Sequence, residues 1–141
     1  MGAVKKAYVS WEDIELDVEK IVAQVSEVDY VVGIPRGGLI IAVMISHKLG
    51  IKHMTIDHLE KLEEFGLDID KKKILVVDDI ADTGETLKFY EETFKKSYIV
   101  TVHKHEQSIV KPDYSVIDKG DKWIVYPWET EDSEEIQDYL K

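Results

Sequence analysis

The chain reads as an open α/β domain with a mainly parallel sheet flanked by helices, and three observations carry that reading. Short apolar runs bounded by turn residues recur between segments of helical periodicity. Two of these runs empty into Gly-rich turns that open helices, and the 141 residues suit one domain, residues 1–141, rather than two.

The elements follow in order. Ser10-Trp11-Glu12-Asp13 reads as a helix start, after which Ile14, Val18, Ile21, Val22 and Val25 recur at helical spacing and give one buried face. Tyr30–Ile34 is a short strand, followed by a Pro-Arg-Gly-Gly turn and an apolar helix from about Leu39 to Leu49, closed by Gly50. Lys52–Ile56 reads as a second brief strand, and the polar stretch Asp57–Lys73 as a loop or mobile short helix able to serve as a lid. Ile74–Val77 is a buried strand. A helix from about Glu85 to Lys95, a strand Ser97–His103 and a turn near Lys111-Pro112-Asp113 come next. Tyr114–Ile117 and Lys122–Tyr126 are two more short strands, extending the sheet or forming a flap, and Glu129–Lys141 is an acidic terminal helix.

With 18 Lys and Arg against 29 Asp and Glu, the net charge of −11 works against nonspecific binding to nucleic acid or to anionic membranes. The chain has no Cys, which removes disulfides, thiolate nucleophiles and Cys-based zinc sites. Met1-Gly2-Ala3-Val4-Lys5-Lys6 lacks an apolar signal core, and no apolar run approaches the roughly 20 residues that span a bilayer. A cytoplasmic protein is expected, without membrane or nucleic-acid partners.

The densest chemical signal is Ile74-Leu75-Val76-Val77-Asp78-Asp79-Ile80-Ala81-Asp82-Thr83-Gly84-Glu85-Thr86. An apolar strand runs into Asp78 and Asp79, and Thr83-Gly84-Glu85-Thr86 opens a helix whose free backbone N–H groups and hydroxyls can hold a phosphate dianion. The acids can meet ribose hydroxyls or the hydration shell of a magnesium ion. An EF-hand is excluded by the spacing, which lacks alternate acids with Gly at the sixth place. Pro35-Arg36-Gly37-Gly38 follows the first strand in the same way, with two glycines for close approach and a guanidinium for phosphate oxygens.

Together these stretches resemble the type I phosphoribosyltransferases, whose motif is an apolar run, two acids, two residues and Asp-Thr-Gly-x-Thr. Tyr8-Val9-Ser10-Trp11, Val102-His103-Lys104 and Lys122-Trp123-Ile124-Val125-Tyr126-Pro127-Trp128 narrow the resemblance to the 6-oxopurine branch, over residues from about 8 to 129. The resemblance implies the family fold with a small base-binding hood. It also implies transfer of the 5-phosphoribosyl group from phosphoribosyl pyrophosphate (PRPP) to guanine, xanthine or hypoxanthine, with release of pyrophosphate. Asp78, Asp79, Ala81, Asp82, Thr83, Gly84, Glu85 and Thr86 would then hold the ribose phosphate, and Pro35, Arg36, Gly37 and Gly38 the pyrophosphate, in a loop that often contains a cis peptide in the family. Lys104 would donate to the purine 6-oxygen, Trp123 stack on the base, and the Ile124 carbonyl meet its 2-position. Asp82 would act as acid or base near N7. Mg²⁺ would arrive largely with PRPP, touching Asp78 and Asp79 through water, and a homodimer or homotetramer would be expected, as the resemblance implies.

Two departures stand out. The loop before the main motif is short and lacks the Ser-Tyr-type pair that closes over the reacting centre in many relatives, and Glu85 replaces a Gly. A non-catalytic sensor of PRPP or nucleotides with the same fold is the alternative, and an interaction module without turnover the third reading. His103 and His105 have the spacing of metal ligands on a strand, but no third ligand stands at fixed spacing.

Overall fold

A computed structural model describes residues 5–130. The expected helix over 129–141 therefore lies almost wholly outside the described residues. Six strands and four α-helices run in the order β1 (Lys6–Tyr8), α1 (Trp11–Gln24), β2 (Tyr30–Gly33), α2 (Gly37–Leu49), α3 (Ile56–Glu64), β3 (Lys73–Ala81), α4 (Glu85–Thr93), β4 (Lys96–Lys104), β5 (Tyr114–Asp118) and β6 (Trp123–Val125). A single 3-10 turn, Ile69–Lys71, precedes β3.

β2, β3, β4 and β5 form one sheet in that order, and every pairing in it is parallel. All four strands thus end on the same side, which gathers the segments after Gly33, Ala81, Lys104 and Asp118 along one edge. Side chains alternate across the sheet with period 2. Val31, Leu75, Val77, Val100 and Val102 face one way, into a core closed by Ile14, Val18 and Ile21 of α1 and Ile41, Ala42 and Ile45 of α2. Val32, Ile74, Val76 and Ile99 face the other way, against Leu59 of α3 and Leu87 of α4. The result is three layers.

α1 begins where the sequence places it. Ser10 Oγ accepts from the Asp13 amide at 3.0 Å, and the Asp13 carboxylate accepts from the Ser10 amide at 2.9 Å, so two otherwise unmatched donors are satisfied. α2 ends at Gly50, whose φ of +67° suits glycine.

Two expectations need correction and one is resolved between its alternatives. Lys52–Ile56 is not a strand, because only His53 bridges to Val31 before Thr55 caps α3 through the His58 amide. Of the two readings of Asp57–Lys73, a loop or a short helix, the helix is found, α3, with Leu59 and Ile69 buried against the sheet. β3 is longer than its apolar run, for backbone pairing with β4 continues through Asp78↔Thr101 and Ala81↔Lys104 whatever the side chains. The two late strands take different places. β5 extends the main sheet, and β6 pairs in parallel with β1 as a separate two-stranded hood, Ala7 opposite Ile124.

Candidate active site at the strand ends

The Pro35–Arg36 peptide is cis, and Pro35 and Arg36 are exposed at the N-terminus of α2. Gly37 and Gly38 are buried there, against the end of β3. A Cβ on Gly38 would stand 2.5 Å from the Val77 carbonyl oxygen and 3.0 Å from Asp78 Cα, and one on Gly37 would meet the Asp79 carboxylate. Only glycine lets the loop lie this close to the two acids.

Asp78, Asp79 and Asp82 are half-buried on and just beyond β3. The Asp78 carboxylate accepts from the Asp79 amide at 2.8 Å. Gly84, at φ +86°, turns the chain into α4. A Cβ there would lie 2.5 Å from Ser108 Oγ and 2.8 Å from the Ile109 and Val110 nitrogens, which arrive on the link from β4 to β5. An open cleft of about 230 Å³ is lined by Asp78, Ile80, Asp82, Thr83, Gly84, Thr86 and Leu87. It therefore holds carboxylates, threonine hydroxyls and the start of a helix, the donors and acceptors a phosphorylated sugar requires. Glu85 is exposed, leaving its backbone in the turn.

The residues expected to meet the base are placed differently. Lys104 is the exposed last residue of β4, Trp123 is half-buried on β6, and Ile124 is buried opposite β1. The Trp123 indole N–H is buried without a hydrogen-bond partner among the described residues. Four residues that sequence reasoning gave no role in the site join them. Gln107 Nε2 donates to Asp82 Oδ1 at 2.7 Å, and Lys119 Nζ stands 4.0 Å from the same oxygen. Tyr126 OH donates to the Asp79 carbonyl at 3.0 Å. With that hydroxyl proton committed, the 2.8 Å contact to His103 Nδ1 makes His103 the donor.

Burial, reinforced by the Lys119 charge, pushes the His103 imidazole down to about 4. Burial and the Asp79 and Asp78 charges push the Tyr126 phenol well above its ordinary range, so it keeps its proton. Tyr126 also stacks on Trp128 at 4.9 Å, which in turn meets Trp11. His103 and His105 do not face one ligand. β4 ends between them, His105 Nε2 lies 3.7 Å from Asp121, and no three potential metal-ligating side chains cluster among the described residues. No helix among the described residues is long and apolar enough to cross a membrane.

The chain is similar to known proteins. Residues 5–135 match the phosphoribosyl transferase domain family. The chain is 30% identical to a xanthine-guanine phosphoribosyltransferase of Idiomarina loihiensis, covering 89% of this chain and 88% of that protein. It is 32% identical to one of Chromohalobacter salexigens, over 86% and 82%. Among solved structures, a purine phosphoribosyltransferase from Pyrococcus horikoshii superposes with a TM-score of 0.78 at 29% identity, over 94% of this chain and 99% of that one. With two glycine-bearing turns set on one edge of a parallel sheet and a match along nearly its whole length, the chain belongs to the phosphoribosyl transferase domain family.

Proposed function

We propose that the protein transfers the 5-phosphoribosyl group of PRPP to a 6-oxopurine and releases pyrophosphate, as the names of its relatives suggest. The observation that carries the reading is the seating of Gly37 and Gly38 against Asp79 and Asp78. It sets a pyrophosphate-type loop beside the two acids that lead into a ribose-phosphate-type turn.

In this reading the α4 N-terminus with Thr83 and Thr86 holds the 5′-phosphate, and Asp78 and Asp79 face the ribose hydroxyls. Arg36 pairs with the leaving pyrophosphate, while the carboxylates tolerate positive charge developing at C1′ as the bond to pyrophosphate breaks. Asp82 takes or shares the N7 proton as the purine N9 bonds to C1′. Trp123 offers a flat face to the base, and Lys104 a donor near its 6-oxygen.

Two hard oxygen donors at a strand end fit a magnesium ion held mostly by phosphate oxygens and water, and Asp78 and Asp79 are the residues to hold it. When bound, that ion would neutralise pyrophosphate charge.

The test is pyrophosphate release from PRPP and Mg²⁺ with guanine, xanthine, hypoxanthine, adenine and uracil offered separately. Turnover restricted to the 6-oxopurines is expected. Failure of every base, with PRPP still bound, would replace the enzyme reading by that of a sensor.

A further inference from the structure

β2 is an outer strand of the main sheet, and its free edge is met by the segment that leads into α3. The Val31 amide donates to the Lys52 carbonyl at 3.0 Å, and the Met54 amide donates to the Val31 carbonyl at 2.8 Å. The next donor along that edge is the Gly33 amide. By then the chain has turned away, since Thr55 caps α3. The ring of His53 takes the place of the missing strand, and its Nε2 accepts from the Gly33 amide at 3.1 Å. A backbone N–H can only donate, so Nε2 is the bare nitrogen and the ring proton sits on Nδ1. Burial, which holds this half-buried imidazole below the ordinary histidine value, favours the same neutral form.

Gly33 is buried where the chain leaves the sheet for Pro35–Gly38. A Cβ on it would stand 2.7 Å from the Gly38 carbonyl oxygen and from Ala42 Cβ, and 2.9 Å from Leu39 Cα. Both ends of the loop therefore meet at this residue. Gly38 in turn is pressed against the Val77 carbonyl and Asp78 Cα. Packing this close passes a displacement of Gly33 on to the loop, and a buried amide left unmatched would displace it toward any other acceptor or toward water.

We propose that His53 is a positioning residue, its ring holding the Gly33 amide and thereby fixing where the Pro35–Gly38 loop meets pyrophosphate. This rests on the reading of that loop as the pyrophosphate site. His53 acts through the backbone, from the edge of β2 opposite β3.

Calorimetric binding of magnesium pyrophosphate and, separately, of ribose 5-phosphate to the wild type, His53→Phe, His53→Asn and His53→Gln tests this. His53→Phe keeps a flat ring without an acceptor, His53→Asn carries its oxygen too close to the backbone to reach Gly33, and His53→Gln can present an oxygen where Nε2 stood. His53→Phe and His53→Asn should each weaken pyrophosphate about tenfold and leave ribose 5-phosphate, which belongs to the α4 turn, within about twofold. His53→Gln should recover most of the pyrophosphate affinity. Amide exchange at Gly33, followed by NMR, should quicken in His53→Phe and His53→Asn and stay near the wild-type rate in His53→Gln; where His53→Phe fails to fold, His53→Asn carries the comparison. Unchanged pyrophosphate affinity in both, a parallel loss of ribose 5-phosphate, or a His53→Gln variant as weak as His53→Asn would overturn the assignment. A wild type that binds no pyrophosphate would remove the pyrophosphate reading of the loop, while the Gly33 exchange rates would still decide whether His53 holds it in place.

Discussion

The phosphate end and the base end of the cleft sit on the same sheet edge, yet one is shaped by missing side chains and the other by buried ones. At the phosphate end, Gly37, Gly38 and Gly84 leave room where any Cβ would strike a neighbour, and the groups offered to a ligand are backbone amides, hydroxyls and acids. At the proposed base end, Gln107 and Tyr126 reach across from different segments to bond Asp82 and Asp79, with the Lys119 charge 4.0 Å from the first and His103 behind Tyr126. In the proposed reading, phosphate recognition is a property of the turn and base recognition a property of the tertiary packing.

The sharpest way to break this contrast is Gly38→Val. An isopropyl group cannot fit between α2 and β3, so PRPP binding should vanish and stability fall by about 1–3 kcal/mol or more. Calorimetric binding and a urea midpoint check both, and a variant that still binds PRPP would show that close backbone approach is not what builds that end. Asp82→Asn comes next, with turnover expected to drop about 10²–10⁴-fold while PRPP affinity holds. Equal turnover in the variant would take the proton-handling role from Asp82.

The acid limb of stability sharpens the base end. Because the folded His103 value is about 4 against an ordinary 6.5, the unfolded chain binds the extra proton first. The contribution is intact above about pH 6.5 and is lost as pH falls toward 4, for a total of about 3 kcal/mol. Burial lowers His53 as well, which steepens the same limb. Urea midpoints from pH 7 to 4 should fall less in His103→Gln than in the wild type, and parallel curves would contradict the assignment.

Tyr126→Phe is the mildest change. It keeps the stack on Trp128 and removes one hydroxyl, leaving the Asp79 carbonyl and the His103 N–H unmatched at about 1–3 kcal/mol. The KM for PRPP should rise more than that for the base, since Asp79 belongs to the ribose side. A rise in the base KM alone would mean that the hydroxyl serves the hood instead.

The same contrast explains what could be read from the residues. Asp78 through Thr86 and Arg36-Gly37-Gly38 were legible because local chemistry, a turn with a helix behind it, demands those residues at that spacing. α1 was legible for the same reason, its cap and apolar stripe lying within one segment. Lys119 and Gln107 were not, because each looks like an ordinary surface residue until β4 and β5 bring it to Asp82. Tyr126 fell within an expected strand, but its hydroxyl has meaning only opposite Asp79, 47 positions away. His53 misled for a related reason. Its ring nitrogen accepts from the Gly33 amide at 3.1 Å, a side chain standing where a ladder carbonyl was expected.

The parallel pairing of β1 with β6 has a kinetic consequence. Residues 6–8 meet 123–125 only after nearly the whole described chain has been threaded between them, so this contact carries the largest loop-closure cost in the fold. The α/β layers can assemble from neighbours close in sequence, whereas the Trp123 shelf must wait for the longest-range encounter. In refolding experiments, competence to bind phosphate should therefore precede competence to bind a base, with an interval in which the cleft can hold a sugar phosphate and has nothing to react it with.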